Sequence, residues 1–175
     1  LNEDSNNIAK HELISKCLDL ISKALKKQDF RNKIIKIDLS NICLETTNLS
    51  ESNFAYATFR NSTLKKSNFS RSYLVRVDWR NADLESVNFE FSNLRGSDFS
   101  GSQLNHSNLA HTNLIECDFW RANLRHVDFS KATFKNTCLE ETDLSNSNLS
   151  YSNLCDANLQ GIILTNSNLS ASDLS

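Results

Sequence analysis

Every fifth residue from Leu39 to Leu174 is Leu, Phe or Trp, 28 positions in a row without an insertion or a deletion. Two residues before each of these stands a small side chain: Ala, Ser, Thr, Val or Cys at 25 of the 28 places, with Ile37, Ile42 and Ile162 at the others. One residue before, Asn or Asp holds 20 of 28. Five is the wrong period for either common element. On an α-helix five residues advance the azimuth by about 140° net, which scatters the large apolar side chains around the cylinder. On a flat strand an odd spacing throws successive ones onto opposite faces. The pattern works if the chain turns a corner about every five residues. Each large side chain then points inward from a short straight side, and the residue two places earlier points inward too, kept small by the crowded axis. Asn and Asp suit the turn because their side chains bond nearby backbone groups.

Folded at 20 residues per coil, the frame sorts itself into four inner columns. One is leucine throughout, from Leu44 and Leu64 to Leu164. Another reads Leu39, Phe59, Trp79, Phe99, Phe119, Leu139, Leu159, with its aromatics consecutive. Such sorting is expected if residues 20 apart touch, because equal-sized side chains stack without voids.

The tandem units, for example Ala82-Asp83-Leu84-Glu85-Ser86 and Ala157-Asn158-Leu159-Gln160-Gly161, resemble the A-(D/N)-L-x-x pattern of the pentapeptide-repeat proteins. The resemblance covers roughly residues 37–175. It implies an all-β solenoid, a right-handed quadrilateral parallel β-helix with four pentapeptides per coil and about seven coils, stacked at ~4.8 Å into a rod of roughly 30–35 Å.

Residues 1–36 lack the repeat and form a second unit. Between Asn7 and about Gln28, Ile14, Cys17, Leu18, Ile21 and Leu25 fall at helical spacing. Asn6 or Asn7 is placed to cap that helix, and Lys26 and Lys27 suit its C-terminus. We expect a helical cap covering the first coil, which otherwise exposes Leu39, Leu44 and an unpaired strand edge; a helix docked onto a partner is the alternative. The repeat runs unbroken to the other end, and Met is absent with Leu1 first. We therefore expect a segment of a longer protein, or failing that an end-to-end homodimer through the C-terminal coil.

The sequence offers no catalytic constellation: no phosphate loop, no His-Glu-x-x-His, no nucleophile elbow. No enzyme activity, cofactor or metal is expected. His106 and His126, 20 apart, should stack on one outer ridge, but Ser86 and Asn146 continue it and two imidazoles fall short of the usual zinc set. The five cysteines contain no C-x-x-C pair, which favours reduced thiols and a cytosolic location, or a host cytosol for a delivered effector. Cys117 is read as a core thiol.

The informative residues are outward and apolar. Tyr73, Val75, Phe91 and Ile115 fall on or near one corner of the rod, and Phe91 should stack between Arg71 and His111. Tyr73, Val75, Phe91, His111 and Ile115 are the candidate interaction patch, for a protein partner of unknown identity. With 19 Lys and Arg against 21 Asp and Glu, and no apolar run of ~20 residues, neither direct nucleic-acid binding nor a membrane span is expected. The leading expectation is a non-catalytic interaction module within a larger, bacterial protein. The resemblance also raises a DNA mimic that binds a type II topoisomerase. The repeat nets only −5 over 11 basic and 16 acidic residues, whereas ~30 Å of duplex carries about 18 negative charges. A structural spacer is the third reading.

Overall fold

The structure, a computed structural model, describes residues 36–175 together with Leu13, Ile14, Lys16, Cys17, Leu18 and Leu20. From residue 38 onward the chain pairs with itself at a constant offset. Asp38 bridges Thr58, Thr58 bridges Asp78, and so on to Cys138 with Asn158, each pair parallel and 20 residues apart. That column alone passes through seven levels. Three others, starting at Cys43, Asn48 and Asn53, climb in the same register. The result is a four-sided parallel β-helix. We number its faces by the first large side chain each sends inward: face 1 from Leu39, face 2 from Leu44, face 3 from Leu49, face 4 from Phe54.

Most pentapeptides satisfy their backbone in one pattern that draws on the coils above and below, as a coil with no conventional strand must. In the unit around Phe59, the N–H of Phe59 donates to Asp78 O and that of Asn61 to Arg80 O, both in the next coil. The N–H of Thr58 reaches back to Ile37 O, and that of Ser62 closes the corner onto Phe59 O. The remaining N–H, of Arg60, is accepted by Thr58 Oγ1. In most units that acceptor is Asn or Asp, as when Asn68 Oδ1 takes the N–H of Ser70 and Asp98 Oδ1 that of Ser100. The residue before the large apolar one thus serves the turn through a local side-chain bond, as the sequence suggests.

The corner itself carries a cost the sequence hides. The residue two places after every large side chain, from Asn41 to Ala171, has φ between +54° and +69°. A four-residue turn with positive φ at its third position favours glycine. Only Gly96, Gly101 and Gly161 supply it; the other corners place Asn, Arg, His, Phe, Tyr and even Thr46 in the left-handed region. The N–H of that residue is held by the coil above, for example Phe91 to Ala110 O at 3.1 Å, so the ladder compensates the local strain.

The lumen is close-packed. Leu44 to Leu144 in the leucine column are fully buried, and the rings of Phe59, Trp79, Phe99 and Phe119 stack at centroid distances of 4.6, 5.9 and 4.8 Å. Phe69 and Phe89 stack beside them at 5.4 Å and meet Trp79 edge-on at 5.3 Å each. Crowding is not the whole reason for the small residues. Ser67, Ser97, Ser107 and Ser147 each donate to the carbonyl of a leucine 23 residues earlier, at 2.7–2.9 Å. Cys117 Sγ stands in for that hydroxyl, 3.1 Å from Leu94 O. A hydroxyl here ties two coils together at a corner; alanine or valine only fills the space.

Of the N-terminal segment, the described residues are helical. Leu18 is buried and Ile14 partly buried, both against the lumen cluster, whereas Cys17, counted above in the apolar stripe, is exposed. Ile21, Leu25 and both proposed helix ends lie outside the described residues. No described helix is long and apolar enough to cross a membrane.

Candidate interaction surface

The corner between faces 3 and 4 stacks one side chain per coil: Glu51, Arg71, Phe91, His111, Lys131, Tyr151, Ala171. Its left-handed backbone aims each of them outward, and the 20-residue register sets them above one another. The Arg71 guanidinium lies over the Phe91 ring, 5.3 Å from its centroid, and the His111 imidazole stacks on the other side at 4.4 Å and 20°. The expected ladder is therefore formed. Phe91 is nonetheless 47% exposed, and with both ring faces covered the exposed part is its edge. Tyr73, 48% exposed, opens face 4 two residues beyond Arg71, and Glu51, Ser52, Asn53, Arg71 and Tyr73 line a shallow hollow there.

Val75 and Ile115 belong to the far edge of face 4 and are only half-buried rather than open. They are two coils apart, and the intervening rung is Arg95, bound to Glu116 at 2.8 Å. The five patch residues thus share one side of the rod, but as a ladder with a flanking hollow on one edge and two separated aliphatic rungs on the other.

Other residues singled out in the sequence fall as follows. His106 and His126 stack at 4.7 Å, and no group of three or more potential metal ligands occurs among the described residues. Cys117 lies in the lumen, and burial pushes its thiol up to about 12, against opposing backbone hydrogen bonds. Beyond those residues, Trp120 is 41% exposed and is held by Arg121 at 4.4 Å from its ring. Sequence reasoning passed over the pairing state of the surface cations, which spacing alone does not show. Lys65 is clamped by Asp83 and Glu85, Arg80 by Asp78 and Asp98, Arg121 by Glu141. The Arg80 guanidinium holds the Asp78 carboxyl below the ordinary carboxylate range. Arg71 and Lys131 have no ion pair with any described residue.

Two repeat profiles match the sequence: "Pentapeptide repeat region" over residues 33–109, and "Pentapeptide repeats (8 copies)" over 102–140 and 142–175. The chain belongs to the pentapeptide-repeat family. Members fold as right-handed quadrilateral β-helices and act as structural or interaction modules, and neither matching profile is that of a catalytic family. Among solved structures the chain is similar to HetL, involved in heterocyst differentiation regulation in the cyanobacterium Nostoc sp. strain PCC 7120, at 22% identity over 88% of this chain and 92% of that one, TM-score 0.38. It is also similar to a pentapeptide repeat protein of the Arabidopsis thaliana thylakoid lumen, at 23% identity over 58% of this chain and 67% of that one, TM-score 0.41. A third is QnrB1, a plasmid-mediated fluoroquinolone resistance protein, at 18% identity over 77% and 84%, TM-score 0.37. No curated protein matches the sequence.

Proposed function

We propose that this chain is a non-catalytic protein–protein interaction module, a rigid rod that engages a protein partner through the Arg71–Phe91–His111 corner with Tyr73, Val75 and Ile115 beside it. The observation that carries the reading is the exposed, pre-ordered ladder: Phe91 is held between two stacked groups, so binding through it costs little side-chain entropy. Among the described residues the lumen is filled by Leu and Phe, which leaves no polar cleft along the axis of the rod in which reactive groups converge. We read residues 1–36 as the cap of the first coil, on the burial of Leu18, and the chain as a bacterial module working in a cytosol.

The test pairs Phe91→Ser with Val75→Asp and compares co-purified proteins with those of the unaltered chain. Loss of a specific partner at unchanged thermal stability supports the module; an identical partner set contradicts it.

A DNA-mimic reading has one observation in its favour, the aspartate column Asp78, Asp98, Asp118 on face 1. Arg80 sits against the first two, which neutralises much of that column. A type II topoisomerase supercoiling assay that responds to the chain would favour this reading over the first.

A further inference from the structure

The corner has a chemistry more specific than apolar contact, and it follows from how the rings are stacked. An aromatic ring is negative over its faces and positive around its edge. Phe91 has Arg71 over one face and His111 against the other, so only the positive edge looks outward. The rungs on either side of that edge are a guanidinium and an imidazole, and the next rung is Lys131. Arg71 and Lys131 are the two cations of the column, and neither has an ion pair among the described residues, whereas Arg95 and Lys135 on the far edge of face 4 are matched with Glu116 and Asp156. Between these edges the central column of face 4, from Tyr73 to Asn153, carries no charged residue. Glu51 below Arg71 and Glu90 on the face 3 side bound the site, which confines an anionic ligand to the face 4 side between Arg71 and Lys131.

We propose that this corner docks an extended acidic peptide segment, its carboxylates set against Arg71 and Lys131 and against the outward edges of Phe91 and His111. This names the partner chemistry of the module described above and rests on that reading. The cations are three rungs apart, about 14 Å at the usual strand spacing, a gap that roughly four residues of extended chain span with both acidic side chains on one side. Tyr73 and the half-buried Val75 give the segment an apolar shelf. Nucleic acid fits less well: a duplex presents a phosphate charge about every 1.7 Å, and the site offers two cations without an ion pair among the described residues, set between Glu51, Glu90 and the aspartates of face 1.

The test is fluorescence anisotropy with the full chain and three labelled probes: a 12-residue alternating Glu-Ser peptide, its Gln-Ser counterpart and a 12-base-pair duplex. We expect saturable binding of the Glu-Ser peptide, at least tenfold weaker binding of the Gln-Ser peptide, and weaker binding still of the duplex. The double reversal Arg71→Glu with Lys131→Glu weakens the Glu-Ser peptide at least tenfold, Phe91→Ser severalfold. Lys66→Glu, a single charge reversal on the corner between faces 2 and 3, leaves it within about twofold. Thermal melts confirm that each variant is folded. The proposal is overturned if the Glu-Ser peptide does not bind, if Lys66→Glu weakens it as much as a corner reversal, or if the duplex binds more tightly. If the corner variants lose a co-purified partner while the Glu-Ser peptide fails to bind, the module stands and the acidic specificity falls. If neither partner nor peptide responds to the corner, both fall.

Discussion

The lumen column Leu44 to Leu164 and the corner column Glu51 to Ala171 climb the same coil at the same rise, yet one is monotonous and the other repeats nothing. Inside, each side chain meets identical neighbours above and below in a close-packed space, so a change of size in one rung is felt by two others. Outside, each meets its neighbours on one side and solvent on the other, and Glu, Arg, Phe, His, Lys, Tyr and Ala all serve. Even the left-handed backbone, which ought to restrict the choice, is tolerated by all of them because the coil-to-coil hydrogen bond holds it. The scaffold is therefore specified from within and leaves the corner sequence free to carry recognition. That freedom is what allows the unmatched Arg71 and Lys131 to be read as chemistry rather than as packing.

The contrast can be tested first on the cysteines, which sample both environments. Cys117 is buried with its thiol pushed up to about 12, while Cys43 is exposed. At pH 8 under native conditions Cys117 should react with iodoacetamide at least about a hundredfold more slowly than Cys43. Equal rates by peptide mass mapping would mean the lumen is open. Next, Leu104→Ala removes a fully buried rung and should cost about 3–4 kcal/mol by urea unfolding, whereas the exposed corner change Phe91→Ser should cost less than about 1 kcal/mol. Comparable losses at the two sites would erase the distinction.

Ser97→Ala sharpens the comparison within the lumen. Its Oγ donates to Leu74 O and accepts the N–H of Val77. The variant should lose about 1–3 kcal/mol, because both partners stay buried. Ala82, at the same place in its own unit, makes no such bond, and Ala82→Ser should not gain a comparable amount.

The smallest effect lies on the outside. Asp78 is held below the ordinary carboxylate range first by its hydrogen bond to Arg80, so its contribution is complete at neutral pH and disappears as pH falls through that lowered value, below about pH 4. Because the pair is partly solvent-exposed, Asp78→Asn should cost no more than about 1 kcal/mol at pH 7, and that cost should shrink as pH falls below about 4. An undiminished difference at pH 2.5 would assign the loss to something other than charge.

Much of the architecture was legible because a period of five admits few geometries, and the sorting at 20 residues supplied the coil. The Arg71–Phe91–His111 ladder was legible for the same reason: its members are 20 apart. Three features were not. Left-handed corners were masked by the scarcity of glycine, since the penalty is offset by hydrogen bonds to residues 19 places away. The serine ties are invisible in the sequence, where they show as small size alone, because a hydroxyl and a methyl look alike to a size rule. The pairing state of the surface cations, with Arg95 bound to Glu116 and Arg71 and Lys131 without an ion pair among the described residues, depends on rotamers that no spacing encodes.

Stacking at 20-residue intervals underlies all of this, and methyl contacts measure it most directly. With stereospecifically methyl-labelled leucine, nuclear Overhauser contacts should join Leu84 to Leu104 and Leu104 to Leu124, about 4.8 Å per rung, and should be absent between Leu84 and Leu124, about twice that distance apart. Contacts missing between Leu84 and Leu104 would contradict the coil and every surface placed upon it.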